Sequence, residues 1–208
     1  MKDLFVLTAD SDAQALIRAV LERHHDLQIR PISFEVQRFT GRDSGMVKEG
    51  PEIARAMVRK TEYSCLVLVW DHHGSGWHSL RPEQAATRIQ QRLDGVTWIE
   101  RSAVVVVPEL EEWLWHCPAG VARHLGSDAT ELDTLADRVV IGLNLSRELC
   151  CRQRPKELFE GVLYYKRRRK PLPEDHKMLG SSANLAKWGA SETFGRLVEI
   201  LRAWFPAR

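Results

Sequence analysis

The chain has 208 residues, 44% hydrophobic and 28% charged, with 13 glycines and 9 prolines, a composition that excludes collagen-like, low-complexity and disulfide-scaffold chains and leaves an ordinary domain able to bury a sizeable core. Its longest apolar runs fall far short of the ~20 residues a membrane helix needs. Met1–Leu7 leads straight into a strand-like segment rather than a signal peptide, so a cytoplasmic protein with no membrane partner is expected. The net charge of +2 is unevenly spread: Arg152 to the end holds 13 basic and 6 acidic residues, against 17 and 22 in residues 1–151, an asymmetry that favours an anionic partner.

Leu4–Leu7 reads as a short strand ending at Thr8, Ala9 and Asp10. Ser11 or Asp12 is placed to cap a helix with Leu16, Ile17, Val20 and Leu21 on one face. Ile29 to Phe39 alternates apolar and polar residues, as a half-buried strand does. A loop carrying Gly41, Gly45 and Gly50 is expected next, with Pro51 opening a helix through Met57 and Val58. Cys65–Trp70 is apolar with few breaks, the pattern of a central strand covered on both faces, and a polar loop from Asp71 to His78 follows it. Pro82 starts a helix through Leu93, Ala103–Val107 is a second buried strand, and Glu109 begins a helix with Leu110, Trp113 and Leu114 on its apolar side. After Gly126 the pattern is mainly helical: Asp128–Asp137, Pro155 towards Tyr165, and Ser191–Trp204.

Strands alternating with helices predict an α/β fold, a mostly parallel four-stranded sheet flanked by helices over residues 1–126, with a helical C-terminal extension over residues 127–208 packed on it. Ligands of such sheets gather at the carboxyl ends of the strands. That rule selects Thr8–Asp12, Asp71–His78 and Pro108–Glu112, and all three segments carry carboxylates. Hard divalent cations take oxygen ligands, and magnesium works with one or two carboxylates beside a phosphate. The candidate metal ligands are Asp10, Asp12, Asp71, Glu109 and Glu112, because Glu109 and Glu112 share a face if both are helical while Glu111 and Glu112 do not. Magnesium or manganese suits this set, and zinc enters because His72, His73 and His78 surround Asp71. His73 is a candidate metal ligand or proton carrier. The competing explanation is that the acids are helix caps and first-turn charges. The four cysteines match neither a disulfide framework nor CxxC zinc spacing and are expected as reduced core thiols.

Tyr165, Lys166, Arg167, Arg168, Arg169 and Lys170 form the second candidate, a nucleic-acid contact in which consecutive cations neutralise phosphates beside aromatics that stack on bases; a solvated helix end is the alternative.

The strand-end acids, the segment VVVVPELEEWLW, and the later RPKELFEGVLYYK and ANLAKW…SETFGRLVEILRAWF together resemble a Toprim-like family of bacterial phage-defence islands, related in organisation to RloB-like proteins and to the nucleases of OLD proteins. The resemblance implies a Toprim-like sheet and a metal-dependent nuclease site, with an acid after the first strand, Asp-x-Asp after the third and a Glu-Leu-Glu segment after the fourth. Here Thr8 stands at the first acid, so Asp10 or Asp12 replaces it; Asp71 opens the Asp-x-Asp and His73 stands at its second position; Glu109 and Glu111 match Glu-Leu-Glu. Lys156 and Lys166 fall in the family's Pro-Lys and Tyr-x-Lys stretches. The implied function is a nuclease with Asp71, Glu109 and His73 as catalytic residues and Lys156 joining the basic run on the nucleic acid. The alternative is a catalytically degenerate module, without a metal, that binds nucleic acid or other proteins of a defence operon.

Overall fold

The computed structural model describes residues 2–60, 63–94 and 99–207. Its first half contains β1 (Lys2–Thr8), α1 (Ser11–Leu21), α2 (His24–Leu27), β2 (Phe34–Arg38), α3 (Arg42–Lys60), β3 (Tyr63–Asp71), α4 (Pro82–Leu93) and β4 (Glu100–Val106). Then follow α5 (Glu111–Trp115), α6 (Pro118–Leu125), α7 (Ala129–Leu143), α8 (Arg147–Gln153), α9 (Pro155–Arg167), α10 (Pro173–Ser182), α11 (Leu185–Trp188) and α12 (Glu192–Trp204). Among the described residues no helix is long and apolar enough to cross a membrane.

All four strands are parallel, in the order β2-β1-β3-β4. The two central strands have the near-continuous apolar runs, because both of their faces are covered. Successive side chains point to opposite faces. Leu4, Val6, Val67, Val69 and Val104 therefore join one hydrophobic cluster, and Phe5, Leu7, Leu66, Leu68 and Trp70 join the other. The second cluster is closed by α3 and α4 residues such as Met46, Ala54, Ala85 and Ile89. The first is closed by α1, by Trp113 of α5 and by the C-terminal extension, from Leu132 through Phe159 and Leu179 to Leu201. A boundary at residue 126 thus separates segments that share one core.

Helix α10 lies so close to α1 that a Cβ on Gly180 would sit 2.9 Å from the Leu16 carbonyl oxygen and 3.0 Å from Ala19 Cβ. Gly161 on α9 plays the same part against Val139 of α7, 2.6 Å from Cγ2.

Several elements differ from the sequence expectation for identifiable reasons. Asp10, not Ser11 or Asp12, caps α1: its Oδ1 accepts the Ala13 N–H at 2.8 Å. The alternating segment yields only the short β2, with Ile29 held instead in an isolated bridge to Pro206. The glycine-bearing segment before Pro51 is helical from Arg42, with the proline inside α3. A proline there lacks the N–H that would bond the carbonyl four residues earlier. Arg92 of α4 fills that gap, donating to the carbonyl of Val47, and also donates to that of Lys48. Pro173 stands in the first turn of α10, where its missing N–H does no harm.

Candidate functional site

The crossover direction reverses between β1 and β3, so the switch point of the sheet lies between Thr8 and Asp71 at the carboxyl ends. Thr8 is fully buried, and its hydroxyl lies 3.2 Å from the carbonyls of both Asp10 and Gln37. Where the family resemblance places an acid, a hydroxyl therefore ties the turn that presents Asp10. Across the switch point, the Asp71 N–H donates to Oδ1 of Asp43 at 2.9 Å. Asp43 lies in the first turn of α3, and sequence reading missed it. Gly74 makes room for it: φ there is +87°, and a Cβ would stand 3.3 Å from Asp43 Oδ2.

Glu109 and Glu111 come from the segment after β4. Glu109 precedes α5, so the helical spacing that pairs positions 109 and 112 does not apply. Glu111 is the residue that turns into the site. It is 3% exposed and lies 3.2 Å from Nε2 of His176, which is completely buried. His176 Nδ1 faces the Leu172 carbonyl at 3.3 Å and Asp12 Oδ1 at 3.8 Å. Both ring nitrogens face acceptors, so the geometry calls for the doubly protonated imidazolium. Glu112 points elsewhere, to His116 Nε2 at 2.5 Å and to the hydroxyl of Ser191, the α12 cap, at 2.6 Å.

His73 Nδ1 lies 3.3 Å from Glu109 Oε1, while Glu109 Oε2 is buried without a hydrogen-bond partner among the described residues. The glycine-rich loop is braced for this: His72 Nε2 bonds the Leu80 carbonyl at 3.0 Å, and buried Ser75 donates to the His72 carbonyl at 2.8 Å. Lys156 enters from the first turn of α9, which is docked on α5 by the Trp115 indole donating to the Pro155 carbonyl at 3.0 Å.

The electrostatics follow from burying carboxyl groups close to one another, with Lys156, His176 and His73 beside them. Burial raises the Asp71 carboxyl well above the ordinary range, and the charges of Asp43, Glu111, Asp10 and Glu109 add to it. Burial pushes Asp43 up to about 6 despite the Asp71 N–H. Burial also raises Glu109, with Glu111 and Glu157 adding to it and His73 and Lys156 opposing, and raises Asp12 against the pull of His176. Glu111 is lowered, because the hydrogen bond and charge of His176 outweigh its burial. Lys156 is raised: burial opposes its charge, but Glu111, Asp71, Glu109 and Asp10 overcome that.

Among the described residues, no group of three or more His, Cys, Asp or Glu side chains is arranged to hold a metal ion. A closed zinc site, which takes three or four protein ligands, does not fit this arrangement. Magnesium or manganese fits better, since such ions take hard oxygens and leave several positions to water and phosphate. The unpartnered Glu109 Oε2 is an available oxygen of that kind.

The basic run is largely engaged within the fold. Lys166 pairs with Glu131 at 2.6 Å, Arg167 donates to the His124 carbonyl, and Arg169 forks onto Asp175 at 2.6 and 2.7 Å. Asp175 is 3% exposed. Burial alone would raise its carboxyl, but Arg169, the Leu172 N–H and His124 hold it below the ordinary range. Arg168 takes the left-handed conformation (φ 56°) that ends α9, and Arg168, Lys170, Tyr164 and Tyr165 are exposed. At 1.5 Å per residue, Lys156 and Arg168 stand about 18 Å apart along α9.

The four cysteines are free, and burial pushes the Cys65 thiol up to about 12. Comparison with known proteins finds no matching family model, no similar curated protein and no similar solved structure.

Proposed function

We propose that this chain is a Toprim-like nuclease of a bacterial antiviral defence system that cleaves DNA or RNA phosphodiesters with magnesium or manganese. The observation that carries the reading is the gathering of acids at the switch point: among the described residues Asp10, Asp12, Asp43, Asp71, Glu109 and Glu111 are met by Lys156, His176 and His73, and the carboxyls of Asp12, Asp43, Asp71 and Glu109 are raised, first by burial and then by their neighbours' charge. Such a field favours a divalent cation, and the carboxylates best placed to hold one are Asp71 and Glu109, with Asp10 beside them. The bound ion would orient and activate water and neutralise charge on the phosphate oxygens.

The chain's own residues divide the remaining work. Lys156 offers an ammonium to a non-bridging phosphate oxygen, held in place by the field of the surrounding acids. His73, with Nδ1 3.3 Å from Glu109 Oε1, is placed to pass a proton to or from water at the site. His176 neutralises Glu111 and faces Asp12, so those two acids are held by the fold. Arg168, exposed at the end of α9 about 18 Å from Lys156, and Lys170 just beyond it are placed for a more distant phosphate of the same strand.

A second reading, the degenerate binding module, has one observation in its favour. Lys156 already supplies a cation to the cluster, and no three-ligand group is arranged among the described residues. Two measurements separate the readings. Manganese binding is followed by calorimetry, and cleavage of single- and double-stranded DNA and RNA is assayed with magnesium or manganese, for the wild type and Asp71→Asn. The nuclease reading expects metal-dependent cleavage that Asp71→Asn abolishes while the variant stays folded. A folded wild type that binds no manganese and cuts no substrate class refutes it.

A further inference from the structure

A separate feature lies on the open side of β4, remote in role from the acidic cluster. In a parallel ladder alternate residues direct both backbone groups to the same neighbour. The Val106 carbonyl accepts from His72 N–H, on the β3 side, whereas the Arg101 carbonyl faces outward and accepts from Gln90 Nε2 at 3.1 Å. Two residues on from Arg101, and two more, Ala103 and Val105 therefore turn their N–H and C=O groups away from the sheet. Among the described residues no side chain caps them. The opposite edge is treated differently: there the outward Val36 carbonyl is closed by Gln14 at 2.9 Å and Arg18 at 3.0 Å.

The open edge is the floor of a groove of about 770 Å³ between α4 and the start of α12. Its walls carry Glu83 on α4 and Glu192 and Glu199 on α12, against a single cation, Arg196, which pairs with Glu199 at 3.5 Å. The geometry points to β4 as a docking edge for an extended, lysine- or arginine-bearing peptide segment of a partner protein, added as a fifth strand. Main-chain groups of the peptide would pair with Ala103 and Val105. Successive side chains of a strand alternate faces, so two consecutive basic residues would reach Glu83 on one wall and Glu192 or Glu199 on the other. A second copy of this chain is the less suitable occupant, since pairing two such grooves would bring their acidic walls together. The inference does not depend on nuclease activity.

The test uses the whole protein with two capped hexapeptides, Thr-Val-Lys-Lys-Val-Thr and Thr-Val-Glu-Glu-Val-Thr. Binding is measured by fluorescence anisotropy, and amide exchange at Ala103 and Val105 by NMR. The lysine peptide is expected to slow exchange at both amides and to bind at least about tenfold more tightly than the glutamate peptide. Ala103→Pro removes an outward N–H without breaking the ladder to β3, and is expected to abolish binding. If that variant does not fold, the pair Glu83→Lys and Glu192→Lys must invert the peptide preference. Equal binding of both peptides, binding of neither, no inversion, or protection that grows with protein concentration in the absence of peptide (a second copy on the edge) each overturns the proposal.

Discussion

Replacing Asp43 by asparagine should make the protein more stable, and the gain should depend on pH. Asp43 has its carboxyl pushed from an ordinary 3.8 to about 6, first by burial and then by the charge of Asp10. A group whose folded value is raised binds its proton more tightly in the native state. Stability is therefore lost as pH rises from about 3.8, where the unfolded chain ionises, through about 6, where the native group ionises. At about 1.36 kcal/mol per pH unit the gap corresponds to about 3 kcal/mol at neutral pH. That figure is an upper bound, because the crowded acids share their protons. Asparagine keeps an Oδ1 to accept the Asp71 N–H, so the loop anchor survives the change. For a chain of this length each kcal/mol is worth about 2–4 °C in melting temperature. Urea or thermal melts with chelator between pH 4 and 8 should show the two proteins converging at the acid end. Asp43→Asn should then pull ahead by several degrees above pH 6. Parallel pH profiles, or a variant less stable at pH 7, would refute the electrostatic account of the cluster.

Other substitutions probe the supports of the site. His176→Ala leaves Glu111 buried and unpaired, which should cost about 3–5 kcal/mol in chemical denaturation, and adding Glu111→Gln should recover part of it. The stabilisation His176 contributes is fully present below its ordinary value of 6.5 and fades as pH rises through its raised native value, so this deficit should shrink in alkaline melts. Gly180→Ala presses a methyl group onto the Leu16 carbonyl and should cost about 1–3 kcal/mol by urea titration, while leaving any metal binding intact. Arg169→Ala strips the buried Asp175 of its fork and should destabilise the protein by about 3 kcal/mol. Arg168→Ala should change stability by less than about 0.5 kcal/mol and instead lower the salt dependence of nucleic-acid binding, as measured by titration at several salt concentrations.

Much of the layout is written locally. The apolar runs Leu4–Leu7, Cys65–Trp70 and Ala103–Val107 mark three strands because burial of a strand on both faces is a property of consecutive residues. Pro82, Pro155 and Ser191 mark helix starts because capping and the missing proline N–H act within one turn. The same locality places Asp10, Asp71 and Glu109 at strand ends.

The tertiary structure decided what depends on distant partners. Asp43 joins Asp71 across 28 residues, and His176 reaches Glu111 across 65; neither pairing leaves a periodic trace in the sequence. The choice between Glu111 and Glu112 turns on where α5 begins, a shift of two residues that reassigns which carboxylate faces the cluster and which holds Ser191. Pro51 lies in the interior rather than at the start of a helix, and the Val47 carbonyl it leaves free is satisfied by Arg92, from another element. The basic run illustrates the same limit. Its charge is legible in the sequence, but only the fold shows Arg169 bound to Asp175 and Lys166 to Glu131, leaving Arg168 and Lys170 as its exposed cations without an ion pair among the described residues. Local patterns report what neighbours along the chain impose on one another, while charge pairing and burial are set by whichever residues the packing brings together.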